Sequence, residues 1–231
     1  MAGIFYGVGV GPGDPELMTV KAVRMIRENR VIALPGAVPE ETIAYRIAVQ
    51  AVPELVEKEL VPVYMPMTHD RREMEHNHQK GAELVESYLA RGENVIFLTL
   101  GDPTIYSTFS YLQERVERDG YDTAMVSGIT SFCAAAASVN IPLVKWNEPL
   151  HVVPAVHSLK ESLPDEGQYV LMKSGRKMKQ VKEMLAASRR DVVTVENCGT
   201  KDEQIYCGVE EIPDDAGYYS LIIAKEPEKK S

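Results

Sequence analysis

The stretch Ile4-Phe5-Tyr6-Gly7-Val8-Gly9-Val10-Gly11-Pro12-Gly13-Asp14-Pro15 decides the fold class. Residues 4–10 are rich in Val, Ile and aromatics and then meet Gly and Pro, which reads as a buried strand ending in a loop. Residues 19–29 follow with Val20, Val23, Met25 and Ile26 as a helical stripe. A strand, a glycine turn and an amphipathic helix make the opening unit of a parallel sheet covered by helices.

Outward from there the alternation continues. Residues 30–34 read as a second strand, stopped by Pro35-Gly36, and residues 40–50 as a helix. Residues 70–91 form a long polar helix with Leu84, Val85, Tyr88 and Leu89 on one face and Gly92 placed to stop it. Residues 95–100 are a continuous apolar strand, and residues 104–118 a helix. The pattern pauses at Asp119-Gly120, which sets the expected boundary between a domain of residues 1–119 and one of residues 120–231. The second half reads as a strand at 123–126, a small-residue helix at 129–139, and strands at 151–156, 168–172, 192–196, 204–207 and 218–224. One clear helix, 177–188, interrupts the last four, so this sheet is expected to be more antiparallel. The fold class is therefore α/β, in two α/β domains. No repeat or low-complexity tract is evident, and residues 225–231 are a charged tail.

The 231 residues are 45% hydrophobic and 26% charged, with a formal charge of −9. That balance is globular, and it argues against nonspecific nucleic-acid binding, which needs Lys and Arg against phosphates. It leaves room for a local basic pocket, for example around Lys173 and Arg176. No secretory signal is expected at the apolar start, and nothing approaches the run of about 20 apolar residues that a membrane span needs. Cys133, Cys198 and Cys207 form no CxxC pair, and their odd number fits free thiols in a reducing cytoplasm.

Three motifs carry the chemistry. The first, Gly7 to Pro15, has glycines that allow positive φ or close approach of a ligand or strand. Its spacing lacks the GxxG step and the GK[ST] of phosphate loops, and a tight strand-to-helix turn without a ligand accounts for it equally. The second, Thr99-Leu100-Gly101-Asp102-Pro103-Thr104-Ile105-Tyr106-Ser107-Thr108, follows the apolar strand at the edge where open α/β sheets take ligands. Asp102 can accept from an ammonium or hydroxyl, or simply cap a helix that Pro103 and Thr104 open. The third, Ser127-Gly128-Ile129-Thr130-Ser131, again ends a strand with a glycine turn. Its hydroxyls either reach a ligand or cap.

In this order and at these distances the three motifs resemble the tetrapyrrole methylase family. The run from Gly101 to Leu112, with MTHDR before it and LMKSGR after, is most similar to the branch that methylates C-20 of precorrin-2 or its cobalt-loaded counterpart, cobalt-factor II. The resemblance covers residues 4 to about 225. It implies a cleft between two α/β domains that binds S-adenosylmethionine, with S-adenosylhomocysteine as product. It implies cofactor contacts at Val10, Gly101, Asp102, Thr104, Ile105, Thr130, Ser131 and Met172. It places the tetrapyrrole beside Gly11, Pro12, Gly13 and Asp14, with Tyr106 as a further cleft residue. It also implies a homodimer. The reaction would be an in-line methyl transfer to a meso carbon, and no residue is assigned to remove the C-20 proton. The segment Leu34 to Glu40 has no clear counterpart in the branch and receives no role.

Other candidates are bland. His69, His76 and His78 lie in or before a helix, where positions two apart point away from each other and share no metal; no metal site is expected. His151 and His157 flank a strand. Cys198 and Cys207 lack a recognisable base. The rival functions are a relative acting on another ring carbon, a nucleotide-binding module using the glycine loop, and an RNA- or protein-modifying relative, for which a basic surface is missing.

Overall fold

A computed structural model describes residues 1–66, 68, 70–155, 163 and 166–227. The chain divides into two compact units, Met1–Thr130 and Ser131–Ser231.

The first unit is built on strands β1 (Phe5–Gly9), β2 (Val31–Pro35), β3 (Glu59–Val63), β4 (Val95–Thr99) and β5 (Thr123–Val126). They pair in the order β3-β2-β4-β1-β5, all parallel. Between them run helices α1 (Val20–Glu28), α2 (Ile43–Ala51), α3 (Arg71–Leu89) and α4 (Phe109–Arg118). Side chains alternate across the sheet with a period of two. Ile96 and Leu98 of β4 face one core with α1 and α2, while Val95 and Phe97 face a second core with α3 and α4. Gly7 leaves the space that the Phe109 ring fills; a Cβ there would come within 2.6 Å of it.

Several expectations shift. The stretch 59–63 received no reading from the sequence and is a strand that contains Pro62; β3 sits at the sheet edge, where a residue without N–H costs no ladder bond. The helix expected at 104–118 begins only at Phe109. Val20 and Leu84 are exposed, and α3 buries His78, Gly81, Ala82, Val85 and Leu89 instead. Asp70 caps α3 by accepting from the N–H groups of Arg72 and Glu73. Strand β5 lies past residue 119 yet pairs with β1, and the compact units part after Thr130.

The second unit holds helix α5 (Ser131–Ser138), strands β6 (Leu150–Pro154) and β7 (Gln168–Met172), helix α6 (Met178–Ser188), and strands β8 (Asp191–Glu196), β9 (Gln204–Cys207) and β10 (Ser220–Lys225). The order is β6-β7-β10-β8-β9. Only β6 and β7 are parallel; the other three pairs are antiparallel, in keeping with the mixed sheet read from the sequence. Met178, Val181 and Leu185 of α6 pack with Tyr169, Leu171, Val192 and Ile222 in this unit's core. Among the described residues no helix is long and apolar enough to cross a membrane.

Candidate functional site

Strands β1 and β4 are neighbours, but α1 after β1 and α4 after β4 pack on opposite faces. That is the switch point of an open parallel sheet, where the ends of the two strands leave a crevice for a ligand. Two of the three glycine motifs lie there, and the third follows β5 next door.

The turns touch each other. Just beyond the strands Gly11 and Gly101 form an isolated antiparallel bridge: Gly11 N–H donates to the Gly101 carbonyl at 3.3 Å, and Gly101 N–H donates to the Gly11 carbonyl at 2.8 Å. Both need positive φ, 77° and 70°, which glycine adopts without a Cβ penalty. A Cβ on Gly128 would lie 2.1 Å from the Gly101 carbonyl oxygen, and one on Gly9 would lie 2.5 Å from the same atom. The glycines at 9 and 128 are thus required by backbone packing. That favours the close-packed-turn reading of the first motif over a phosphate loop.

Asp102 ties the turns together. It is 7% exposed. Its Oδ1 accepts from Thr104 N at 2.8 Å and from the Thr104 hydroxyl, and its Oδ2 accepts from Gly128 N at 2.9 Å. The expected capping role is therefore replaced by a turn that spans two motifs, and Pro103 and Thr104 open no helix. Ile105 N–H donates to the Asp102 carbonyl at 3.3 Å. Tyr106 takes a φ of 48°. Ser107 then anchors the far end: its Oγ lies 2.9 Å from Thr99 Oγ1 and accepts from Phe109 N. Sequence reading gave Ser107 no role, although its place eight residues after Thr99 at the strand end was a usable signal.

Elsewhere in the unit, the Val10 side chain is fully buried in the first core, and its N–H donates to the Thr99 carbonyl, so only its backbone faces the turns. Gly11 is in the bridge, Pro12 and Gly13 follow it, and Asp14 caps a short 3-10 turn by accepting from Glu16 N at 2.8 Å. Thr130 Oγ1 is buried with no hydrogen-bond partner among the described residues. A buried hydroxyl is normally paired, so this atom fits a polar ligand group.

In the second unit, Ser131 opens α5 and Met172 ends β7, both half-buried. Lys173, next to Met172, has a φ of 59°, and burial holds its ammonium below the ordinary range. The Arg176 side chain, His69 and His157 lie outside the described residues. In the first unit His78 is buried and stacks on Tyr111 with ring centroids 4.8 Å apart, a packing role. His151 stacks on Tyr169 at 4.5 Å. Burial, with Glu203 beside it, pushes the Cys198 thiol up to about 11, so it is no thiolate nucleophile at neutral pH.

The sequence matches the family of Tetrapyrrole (Corrin/Porphyrin) Methylases over residues 5–213. It is 35% identical to the cobalamin biosynthesis protein CobIJ of Mycobacterium tuberculosis over 95% of this chain but 45% of that protein, so the chain spans about half its length. It is 32% identical to a probable cobalt-precorrin-2 C(20)-methyltransferase of Methanocaldococcus jannaschii over 95% of both chains. Among solved structures, the uroporphyrin-III C-methyl transferase of Thermus thermophilus, complexed with S-adenyl homocysteine, aligns with a TM-score of 0.68 at 24% identity, covering 97% of this chain and 98% of the other. That likeness supports the fold.

Proposed function

Because the chain belongs to the family of tetrapyrrole (corrin/porphyrin) methylases, we propose that it is an S-adenosylmethionine-dependent C-methyltransferase acting at C-20 of precorrin-2 or cobalt-factor II in cobalamin biosynthesis. The near-full-length identity to the Methanocaldococcus jannaschii protein carries this reading. The residues present suit the cofactor. Thr130 Oγ1 needs a polar partner, and the turns of Gly101–Ile105 lie at the switch-point edge. We assign the cofactor contacts to Val10, Gly101, Asp102, Thr104, Ile105, Thr130, Ser131 and Met172, and the tetrapyrrole contacts to Gly11, Pro12, Gly13, Asp14 and Tyr106.

When bound, S-adenosylmethionine supplies a methyl group already activated on its sulfonium. The chain's own task is placement. Asp102 and the Gly11–Gly101 bridge fix three loops against one another, so groups on them hold their positions without reorganising. A displacement of about 1 Å can cost on the order of a hundredfold in rate, so a fixed wall is also a regioselective one. The same reading makes the protein a cytoplasmic homodimer.

Incubation with methyl-labelled cofactor and each macrocycle, metal-free and cobalt-bearing, tests the proposal. One label should appear, located at C-20 by mass and NMR. A methyl on a pyrrole-ring carbon would move the chain to another branch, and no turnover with either macrocycle would overturn the assignment.

A further inference from the structure

Helices α3 and α4 each join two strands of an all-parallel sheet, so they run in the same direction and end at the same edge. The start of β1 marks that edge. The carbonyl of Leu89, the last residue of α3, accepts from Gly3 N at 2.8 Å. The carbonyl of Asp122, just past α4, accepts from Phe5 N at 3.0 Å. The glycine turns lie at the opposite, carboxyl edge of the sheet.

A helix ends in partial negative charge, so its last turn favours cations. Here two acidic residues stand at the two ends. Glu86 is in the last turn of α3, which holds no basic residue, and Asp119 is the C-cap of α4. The two side chains are hydrogen-bonded to each other. Two carboxylates offer acceptors only, so such a bond exists only while one of them holds a proton.

Arg118 decides which one. Its Nε donates to Asp119 Oδ1 at 2.9 Å and its Nη2 to Asp119 Oδ2 at 3.3 Å, a fork that favours the ionised carboxylate. The same Nη2 donates to Gln79 Oε1 of α3 at 3.3 Å. Arg118 accordingly holds the Asp119 carboxyl below its ordinary range. Glu86 has the opposite surroundings. Its Oε1 is buried with no hydrogen-bond partner among the described residues. Burial first, then Asp119 and Glu83, push its carboxyl above the ordinary range, with Arg118 opposing. The proton therefore sits on Glu86.

We propose that Glu86 and Asp119 form a proton-held latch between the ends of α3 and α4, closed by one shared proton and opened when that proton leaves. Opening places two like charges side by side at two negative helix ends. The turn from Asp119 to Tyr121, whose N–H groups donate to the Arg115, Glu117 and Val116 carbonyls, should then loosen ahead of β5. A carboxyl raised in the fold binds its proton more tightly there than in the unfolded chain. The latch's contribution to stability is thus complete below the ordinary value of 4.5 and is lost as the pH rises through the raised value of the folded protein. This inference does not depend on the methyltransferase reading.

Carboxyl-carbon NMR of the full chain, labelled at glutamate, follows Glu86 directly. Its titration midpoint should lie above those of the exposed glutamates and move toward them in Asp119→Asn. A midpoint among the exposed glutamates, or one that Asp119→Asn leaves in place, would overturn the proposal. Glu86→Gln keeps a donor toward Asp119 at every pH. Its unfolding equilibrium constant should match the parent's within about twofold near pH 4.5 and be roughly fivefold lower near pH 8. His78 cancels in this comparison, since both proteins carry it. Amide exchange, corrected for its intrinsic pH dependence, should show residues 119–122 losing protection as the pH rises in the parent and keeping it in Glu86→Gln. Parallel stability curves, or protection that falls alike in both proteins, would also overturn the latch. If Glu86→Gln fails to fold, the two NMR midpoints decide.

Discussion

Both carboxylate oxygens of Asp102 accept from backbone N–H groups, one from its own loop and one from the loop after β5. Removing the side chain leaves the Gly128 N–H without its partner in a half-buried turn, a loss worth roughly 1–3 kcal/mol. Asp102→Ala should lower unfolding free energy by about 2 kcal/mol in urea titration and weaken S-adenosylhomocysteine binding. Asp102→Asn should do almost as badly, because its amide presents a second donor to Gly128 N–H or to Thr104 N–H. Unchanged cofactor affinity per folded molecule would leave Asp102 a staple alone. The sequence made Asp102 visible as a polar residue between glycine and proline, and capping was the natural local explanation. Its second partner lies 26 residues on, and no local pattern reveals a bond of that span. Thr130 was legible as a hydroxyl at a strand end, but that its oxygen is buried and unpaired is a matter of packing.

At the scale of elements, α3 and α4 cover one face of the first sheet and meet each other through His78 and Tyr111. His78 is held below its ordinary value, first by burial and then by Arg115, with Glu75 opposing. Folded, it binds fewer protons than unfolded. Its contribution to stability is thus complete above the ordinary value near 6.5 and is lost as the pH falls from there through the lowered value of the folded protein. Denaturation midpoints of the parent should therefore drop between about pH 7 and 5 more steeply than those of His78→Gln, which has no proton to take up there. Equal slopes would mean that His78 is not responsible. The strong elements were readable because their apolar residues are continuous. Strands β5, β7 and β9 have the same bounds in the structure as in the sequence reading. The weak ones failed for physical reasons. Pro62 hid β3, whose edge position tolerates it. Pro103 resembled a helix start because nothing in the sequence says that Asp102 is already engaged in closing a turn.

For the whole molecule, charge is the broadest constraint. A chain with a formal charge of −9 repels a triphosphate, and its glycine turns are filled by one another, with Gly9, Gly101 and Gly128 in backbone contact. No lysine follows the first loop to offset that repulsion: the residues after Gly13 are Asp14, Pro15 and Glu16. S-adenosylhomocysteine carries an ammonium and a carboxylate that cancel, so the same field costs it little. The nucleotide-module rival and the methyltransferase reading thus differ in a property that needs no substrate. A ligand that binds only the native state stabilises it by about 2.7 kcal/mol at a hundred times its dissociation constant. For a chain of this length that shifts a melting transition by several degrees. Two units with separate cores can melt in separate steps, so the transition that moves should be followed rather than one overall midpoint. S-adenosylhomocysteine should raise it, and ATP or NAD at equal concentration should leave it in place. The reverse pattern would return the glycine loop to phosphate binding and remove the cofactor from this site.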